Sequence, residues 1–244
     1  MPHFLIKKEH KNNNFINITE TETLNHLVKV RRVKVGEDIL FFDKEKTEYL
    51  CKVRDISRQL LRAEIIKAYK SERELKHNIS VAKCVLKSDA DFSAIQKATE
   101  LGVKRIIPVI SDNCAVNPKI IFSKSEKFQK IADESVKQCE RTDFPIVEKP
   151  VRLDEIIKRK DYDLIIVFSE KEEKLTIKKF FSQNPYKGQS ILIITGPEGG
   201  FSQREFKLFE EYKIPRLTLG KLIMRADTAL TAAIFGVIQE ISDV

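Results

Sequence analysis

Two short loops carry the residues best suited to ligand binding, and each follows a predicted buried strand. The first loop is Thr195-Gly196-Pro197-Glu198-Gly199-Gly200-Phe201. Its three glycines let the backbone approach a ligand closely, and Pro197 stiffens the turn. A Cβ at Gly199 is expected to enter the space of the ligand. The loop matches neither the G-x-G-x-x-G pattern of dinucleotide sites nor the P-loop pattern. We therefore predict a ligand site of another kind, built largely from backbone groups.

The second loop, Leu219-Gly220-Lys221-Leu222-Ile223-Met224-Arg225, leads into Ala226-Asp227-Thr228-Ala229 at the start of a predicted helix. Leu222, Ile223 and Met224 offer an apolar wall, and Arg225 places a guanidinium beside the helix N-terminus. Taken singly, either loop is explained more simply as a Gly-Pro turn or a helix cap. The two loops in this order, about 20 residues apart, are far more specific.

The distribution of histidine and cysteine excludes several kinds of chemistry. All four histidines lie in the first third of the chain: His3, His10, His26 and His77. Ser-His-Asp or Cys-His hydrolysis is therefore disfavoured in the remaining two thirds. The four cysteines have no metal-ligand spacing and are expected to be reduced core thiols: Cys51, Cys84, Cys114 and Cys139. No metal site is predicted.

Length and charge suggest a cytoplasmic, soluble protein with a polyanionic partner. The longest near-apolar stretch, 229–238, is well short of the roughly 20 residues that span a bilayer. Of the net charge of +8, residues 1–76 contribute 17 Lys+Arg against 12 Asp+Glu. Such an excess is typical of RNA binding, although a solvated lysine-rich surface explains it equally well.

The first part of the chain predicts a small β-barrel with a helical insert. Predicted strands are 15–18, 38–42, 49–56 and 60–66, with a helix over 21–30. After this helix, valines alternate with basic residues, which predicts an edge with one packed face and one solvent face. The basic residues form either an RNA-backbone contact strip or an ordinary amphipathic edge: Lys29, Arg31, Arg32 and Lys34. The charged stretch 70–76 predicts a linker, and hence domains 1–72 and 73–244.

Strands and helices then alternate, which predicts an α/β domain with a parallel sheet. The predicted strands are 79–85, 103–110, 163–168, 190–195 and 216–219. The first helix is expected to open with a Ser88–Asp91 capping box and to close at Gly102. Further capping boxes are predicted at Ser123–Glu126, before a helix with one apolar face, and at Ser202–Glu205, before a helix to about residue 212; a last helix covers 228–241.

These motifs resemble those of the RsmE family, the SPOUT-class ribosomal RNA methyltransferases. The resemblance covers nearly the whole chain: 26–32, Ala98-Thr99-Glu100-Leu101-Gly102-Val103, 134–142 with Gln138 and Arg141, and the two loops. The sequence departs from the family pattern in two places. Leu222 stands where the family usually has arginine, and Ala226-Asp227-Thr228 replaces Thr-Glu-Thr, which shortens the carboxylate reach at Asp227.

The resemblance implies a trefoil-knotted methyltransferase domain, a PUA-like N-terminal barrel and a homodimer. It also implies transfer of a methyl group from S-adenosylmethionine to N3 of a uridine in 16S ribosomal RNA of the small subunit. The adenine is then expected between the two loops and Phe168-Ser169-Glu170. The implied cofactor residues are Phe168, Ser169, Glu170, Thr195, Gly196, Pro197, Glu198, Gly199, Gly200, Leu219, Gly220, Leu222, Ile223, Met224, Arg225 and Thr228.

A fixed cation would stabilise the charge that spreads over the uracil ring as N3 loses its proton. Arg225 is the first candidate for this role and Arg141 of the partner subunit is the second. Glu198 or Asp227 is expected to accept the proton. Glu198 serves equally well as a brace for the glycine loop.

Two other functions stay open. One is a non-catalytic RNA-binding factor in ribosome assembly, which a titration with S-adenosylmethionine would distinguish. The other is a knotted ribose 2′-O-methyltransferase acting on tRNA. The N-terminal barrel and the match over Gln138–Arg141 argue against the tRNA enzyme.

Overall fold

The computed structural model describes residues 3–86 and 89–241, without the side chains of Asp89, Pro118 and Lys119. The chain divides into two compact units. Unit 1 holds the described residues up to Glu74 together with Val136–Phe144, and unit 2 holds Leu75–Ser135 and the rest. The sequence predicted a domain boundary between residues 72 and 73. The domain limits 1–72 and 73–244 stay a proposal.

Unit 1 contains a curled, mainly antiparallel sheet of six strands. Its elements are β1 (His3–Leu5), β2 (Lys11–Asn12), β3 (Phe15–Ile18), helix α1 (Thr21–Asn25), a π-helical turn (His26–Val30), β4 (Asp38–Phe42), β5 (Thr47–Ile56) and β6 (Leu61–Lys70). The strand order is β1-β4-β5-β6-β3-β2, and only the β1–β4 pair is parallel. Alternate residues such as Ile16, Ile18 and Ile39 fill one core. The strands predicted from alternation are thus confirmed.

The predicted edge over residues 29–36 is wrong as a strand. The helix that begins at Thr21 widens into the π-helical turn, in which the Arg31 N–H donates to the carbonyl of His26. Arg32 then adopts a positive φ of 55° and reverses the chain, as residues after helix ends commonly do. Val33 is buried, whereas Val30 and Val35 are 67% and 59% exposed, because a helical end does not alternate faces.

Unit 2 contains seven parallel strands and seven helices among its described residues. The strands are β7 (Asn78–Cys84), β8 (Arg105–Ile110), β9 (Ile146–Val147), β10 (Val151–Arg152), β11 (Leu164–Phe168), β12 (Ser190–Thr195) and β13 (Arg216–Leu217). The helices are α2 (Asp89–Glu100), α3 (Pro118–Ser123), α4 (Ser125–Gln138), α5 (Leu153–Ile156), α6 (Ile177–Gln183), α7 (Gln203–Glu211) and α8 (Ala226–Ile241). The predicted α/β class is confirmed.

The parallel sheet is covered on both faces, which explains its continuous apolar strands. The strand order is β10-β8-β7-β12-β11-β13, with β9 beside β8. Ile191 and Ile193 point to one core, which they share with residues of α2, α4, α6 and α8. Leu192 and Ile194 point to the other core, which α5 and α7 cover.

Helix ends in unit 2 test the predicted capping residues. Gly102 has a φ of 85° just after α2, and Ser202 and Glu205 form a reciprocal capping box, both as predicted. The Ser123–Glu126 capping box is wrong. Ser123 ends α3, where its hydroxyl donates to the Ile120 carbonyl, and α4 begins only at Ser125. The predicted cap Ser88 lies outside the described residues.

A buried ion pair joins β7 to α2. The ammonium group of Lys83 donates to the carboxylate of Asp91, and the side chains are 2% and 0% exposed. The Leu86 backbone N–H donates to the same carboxylate at 3.0 Å. Each charge is therefore neutralised by the other, because neither side chain is accessible to water.

Removal of one partner should leave an uncompensated buried charge. We expect Asp91→Ala to lower the free energy of unfolding by about 3 to 5 kcal/mol, as is typical when a buried pair is broken. The double substitution Lys83→Met with Asp91→Leu should recover most of this loss, since it removes both charges. Urea denaturation measures both variants, with the exposed Glu126→Ala as a control. A loss below about 1 kcal/mol for Asp91→Ala would show that water reaches the pair.

Candidate functional site

The carboxyl ends of β11, β12 and β13 meet at one edge of the sheet of unit 2. β11 lies between the other two strands, pairing with β12 on one side and β13 on the other. A cavity of about 300 Å³ opens at this edge. Its volume lies at the lower end of the range for small-molecule sites, and its place is where α/β sheets bind ligands.

Three segments line this cavity, which we call the strand-end cavity. They bring together fourteen of the sixteen residues predicted to bind the cofactor: Phe168, Ser169, Glu170, Thr195, Gly196, Pro197, Glu198, Gly199, Gly200, Leu219, Gly220, Leu222, Ile223 and Met224. The other two, Arg225 and Thr228, do not line it. Thr218, Ala226 and Ala229 do, although they were not predicted. Leu222 and Ile223 are 82% and 89% exposed, so the predicted apolar wall stands at the open side.

Two side chains from outside the motifs hold the glycine loop in place. The fully buried carboxylate of Glu205 accepts from the backbone N–H groups of Asp112 at 2.9 Å and Ser202 at 2.8 Å. Asn113, which follows β8, donates its amide to the Gly200 carbonyl at 3.0 Å. The capping box pointed to Glu205, but no sequence signal pointed to Asn113.

At two positions of the glycine loop, an added Cβ would meet atoms of the protein itself. A Cβ on Gly199 would lie 3.3 Å from Cβ of Asn113 and 3.4 Å from its carbonyl oxygen. A side chain at Gly199 would therefore press on Asn113, and its expected entry into the space of a ligand stays a prediction. Gly200 has a φ of 66°, and a Cβ there would clash with the carboxylate of Glu170.

A second cavity, of about 580 Å³, lies beside the first. It is lined by Leu86, Ala90, Ser93, Glu198, Met224, Arg225, Ala226 and Asp227. Glu198, Met224 and Ala226 line both cavities and so form their common border. Arg225 is exposed and faces this second cavity.

Asp227, at the start of α8, forms an ion pair. Its Oδ2 accepts from Lys97 of α2 at 3.1 Å, and the Asp227 side chain is 17% exposed. Burial acts to raise the pKa of Asp227, but the hydrogen bond and charge of Lys97 outweigh it, and the pKa lies below its ordinary value. Asp227 is therefore held ionised at neutral pH.

Arg141 is placed in unit 1, where its side chain is 7% exposed. Its guanidinium donates to Glu74 from Nε at 3.1 Å and from Nη2 at 2.9 Å. The same carboxylate accepts from the N–H groups of Thr142 and Asp143. Arg141 lines neither cavity of its own chain, and a role in a partner's site stays a prediction.

The basic residues of the predicted strip all lie in solvent. They are Lys29, Arg31, Arg32 and Lys34, and each is exposed. Residues 29–34 form a helical end and not the predicted strand. Their four cations are nevertheless exposed on unit 1. This part of the prediction is confirmed, whereas RNA contact is untested.

Fold and cavity together define the class of protein. A parallel sheet with this strand order and a glycine-loop cavity at its carboxyl edge is a SPOUT-class, α/β-knot methyltransferase domain, and the curled sheet of unit 1 is PUA-like. None of the described helices is long and apolar enough to cross a membrane.

The chain belongs to the RNA methyltransferase family, and the resemblance found in its motifs is confirmed. The family's RNA methyltransferase domain matches residues 73–238, and its RNA methyltransferase PUA domain matches residues 18–66. The chain is 32% identical over 224 residues to ribosomal RNA small subunit methyltransferase E of Mesomycoplasma hyopneumoniae, covering 90% of this chain and 92% of the relative. It is 29% identical to the protein of the same name from Rickettsia conorii, covering 91% and 88%.

A solved structure has the same fold over nearly all of the chain. It is a ribosomal RNA small subunit methyltransferase E from Neisseria gonorrhoeae bound to S-adenosylmethionine. The TM-score is 0.80 at 25% identity, and the match covers 98% of this chain and 97% of the other.

Proposed function

We propose that this protein transfers the methyl group of S-adenosylmethionine to N3 of a uridine in the 16S RNA of the small ribosomal subunit. The observation that carries the proposal is the meeting of the glycine loop, the 219–225 loop and residues 168–170 around one cavity. The names of the relatives and the bound ligand of the gonococcal structure support the same activity. The protein would then act in the cytoplasm, where its ribosomal RNA substrate lies.

The strand-end cavity suits S-adenosylmethionine by its chemistry. Backbone groups of 195–200 can bind a polar base edge, and Leu219 and Met224 give it apolar walls. Gly220 passes the cavity with a φ of 116°, and a Cβ there would meet no atom within 4 Å. When bound, the cofactor supplies an activated methyl group on a sulfonium, so the protein has mainly to align the reactants and take one proton.

The part of the site that binds uracil, the methyl acceptor, requires a cation and a base. Arg225 lies outside the strand-end cavity and lines the neighbouring one, which suits a group that binds the developing charge on uracil oxygens. Glu198 lines both cavities and is our first choice as proton acceptor. Asp227 is the weaker base, since Lys97 holds its pKa low.

RNA binding is proposed to use the four exposed cations of unit 1, and the active form is proposed to be a homodimer. Exposed Phe235 on α8, together with exposed Leu222 and Ile223, offers apolar surface for a second copy. The partner's Arg141 keeps the second place as a catalytic candidate. It would have to exchange its bond to Glu74 for one to RNA.

We expect Gly199→Val to abolish S-adenosylmethionine binding while the protein stays folded. The branched side chain would press on Asn113 and displace the backbone that lines the cavity. Gly199→Ala should lose less affinity, because a single Cβ needs only a small shift of Asn113. Isothermal titration measures binding, and circular dichroism checks the fold. Unchanged affinity in Gly199→Val would place the cofactor elsewhere.

Arg225→Ala should reduce the rate of methylation on the order of 100-fold or more while cofactor affinity stays within a few-fold. A donor that acts mainly in the transition state affects turnover more than ground-state binding. Lysine should rescue only partly, since it lacks the planar fork. Lys221→Ala, in the same loop but lining neither cavity, is the control. If Arg225→Ala loses the cofactor and keeps its saturated rate, Arg141 takes over the catalytic role.

The triple substitution Lys29→Ala, Arg31→Ala and Arg32→Ala should weaken RNA binding and flatten its salt dependence. Each lost phosphate contact should remove about 0.7 to 0.9 from the slope of log K against log salt. Substitution of three exposed lysines of α4, Lys127, Lys130 and Lys137, gives a control of equal charge. A slope that stays the same in the first variant would make the strip a solvated surface only.

A further inference from the structure

The second cavity has the size and position of a binding site in its own right. At about 580 Å³ it lies within the range of sites for small organic groups. It meets the strand-end cavity along Glu198, Met224 and Ala226. A group bound in one cavity therefore faces a group bound in the other across this border.

The first turns of α2 form one wall of the second cavity. Ala90 and Ser93 present small side chains there, and the nearly fully buried Leu86, two residues after β7, backs this wall. This wall is fixed, because Asp91 between Ala90 and Ser93 is buried and bonded to Lys83. Lys97, further along α2, binds Asp227 and so ties α2 to the start of α8.

The lining has the mixed character needed to bind a single base. Leu86 and Met224 offer apolar surfaces, which suit the faces of a flat ring. Arg225 can donate to ring oxygens, and Ser93 can donate or accept. Glu198 can accept the N3–H of uracil, whereas cytosine would place a lone pair against that carboxylate. Enzymes that modify a base commonly take it out of its stack into a pocket of this kind.

We infer that the second cavity receives the target uracil after it is flipped out of the RNA, and that Ala90 and Ser93 set the room available to the ring. This inference rests on the proposed function. It assigns a part in substrate binding to α2, which neither loop motif contains. The methyl donor and its acceptor then lie on opposite sides of the Glu198–Met224 border.

The test is a substitution that fills the second cavity and leaves the first unchanged. Ser93→Phe should lower methyl transfer to unmethylated small subunits on the order of 100-fold, because the ring can no longer reach its aligned position. Titrated affinity for S-adenosylmethionine and binding to the RNA should stay at the wild-type values. Ala90→Leu, a smaller filling on the same wall, should give a smaller loss.

Gln96→Phe is the matched control, since Gln96 is exposed on α2 and lines neither cavity. It should keep the wild-type rate. Wild-type transfer by Ser93→Phe and by Ala90→Leu would overturn the inference, as would an equal loss in Gln96→Phe. Failure of the proposed function would look different. The wild-type protein would then neither bind S-adenosylmethionine nor methylate the RNA.

Discussion

β12 forms hydrogen bonds with β7 on one side and with β11 on the other, and the candidate site depends on this placement. β11 in turn pairs with β13, so three successive strands of the chain end side by side. In a parallel sheet these ends open to the same edge. A glycine loop, an apolar loop and the 168–170 segment can therefore enclose one ligand, although roughly 20 residues of chain separate each from the next.

The glycine loop is fixed by Asn113, which follows β8, and the segment after it by Glu205 of α7. The carboxylate of Glu205 has no access to water, and its burial would be costly without the N–H groups of Asp112 and Ser202 that donate to it. Asn113 adds a hydrogen bond to the Gly200 carbonyl. A loop rich in glycine has high conformational freedom, and these contacts remove it before any ligand binds. The resulting geometry explains why a Cβ at Gly199 would disturb Asn113.

The two adjacent cavities separate the tasks of the proposed reaction. The strand-end cavity is lined mainly by backbone and apolar groups, which suits the binding of a cofactor. The second cavity holds Arg225, Glu198 and the ion-paired Asp227, which suits an acceptor that develops negative charge. Arg225 thus faces the acceptor side, although it is the immediate neighbour of Met224, which lines both. Unit 1 carries its own exposed cations at a helix end.

The sequence by itself determined the α/β class, most strand positions, the capping box at Ser202 and fourteen of the cavity residues. Local periodicity and capping patterns gave the class, the strands and the capping box, whereas the cavity residues followed from the resemblance of the motifs to a known family. Only the tertiary structure decided the helical end in place of an edge strand at 29–36, the anchoring of the glycine loop by Asn113, and the wall of the second cavity at Ala90 and Ser93. These features depend on which distant segments come into contact, and strand pairing and packing fix such contacts without leaving a local pattern in the chain.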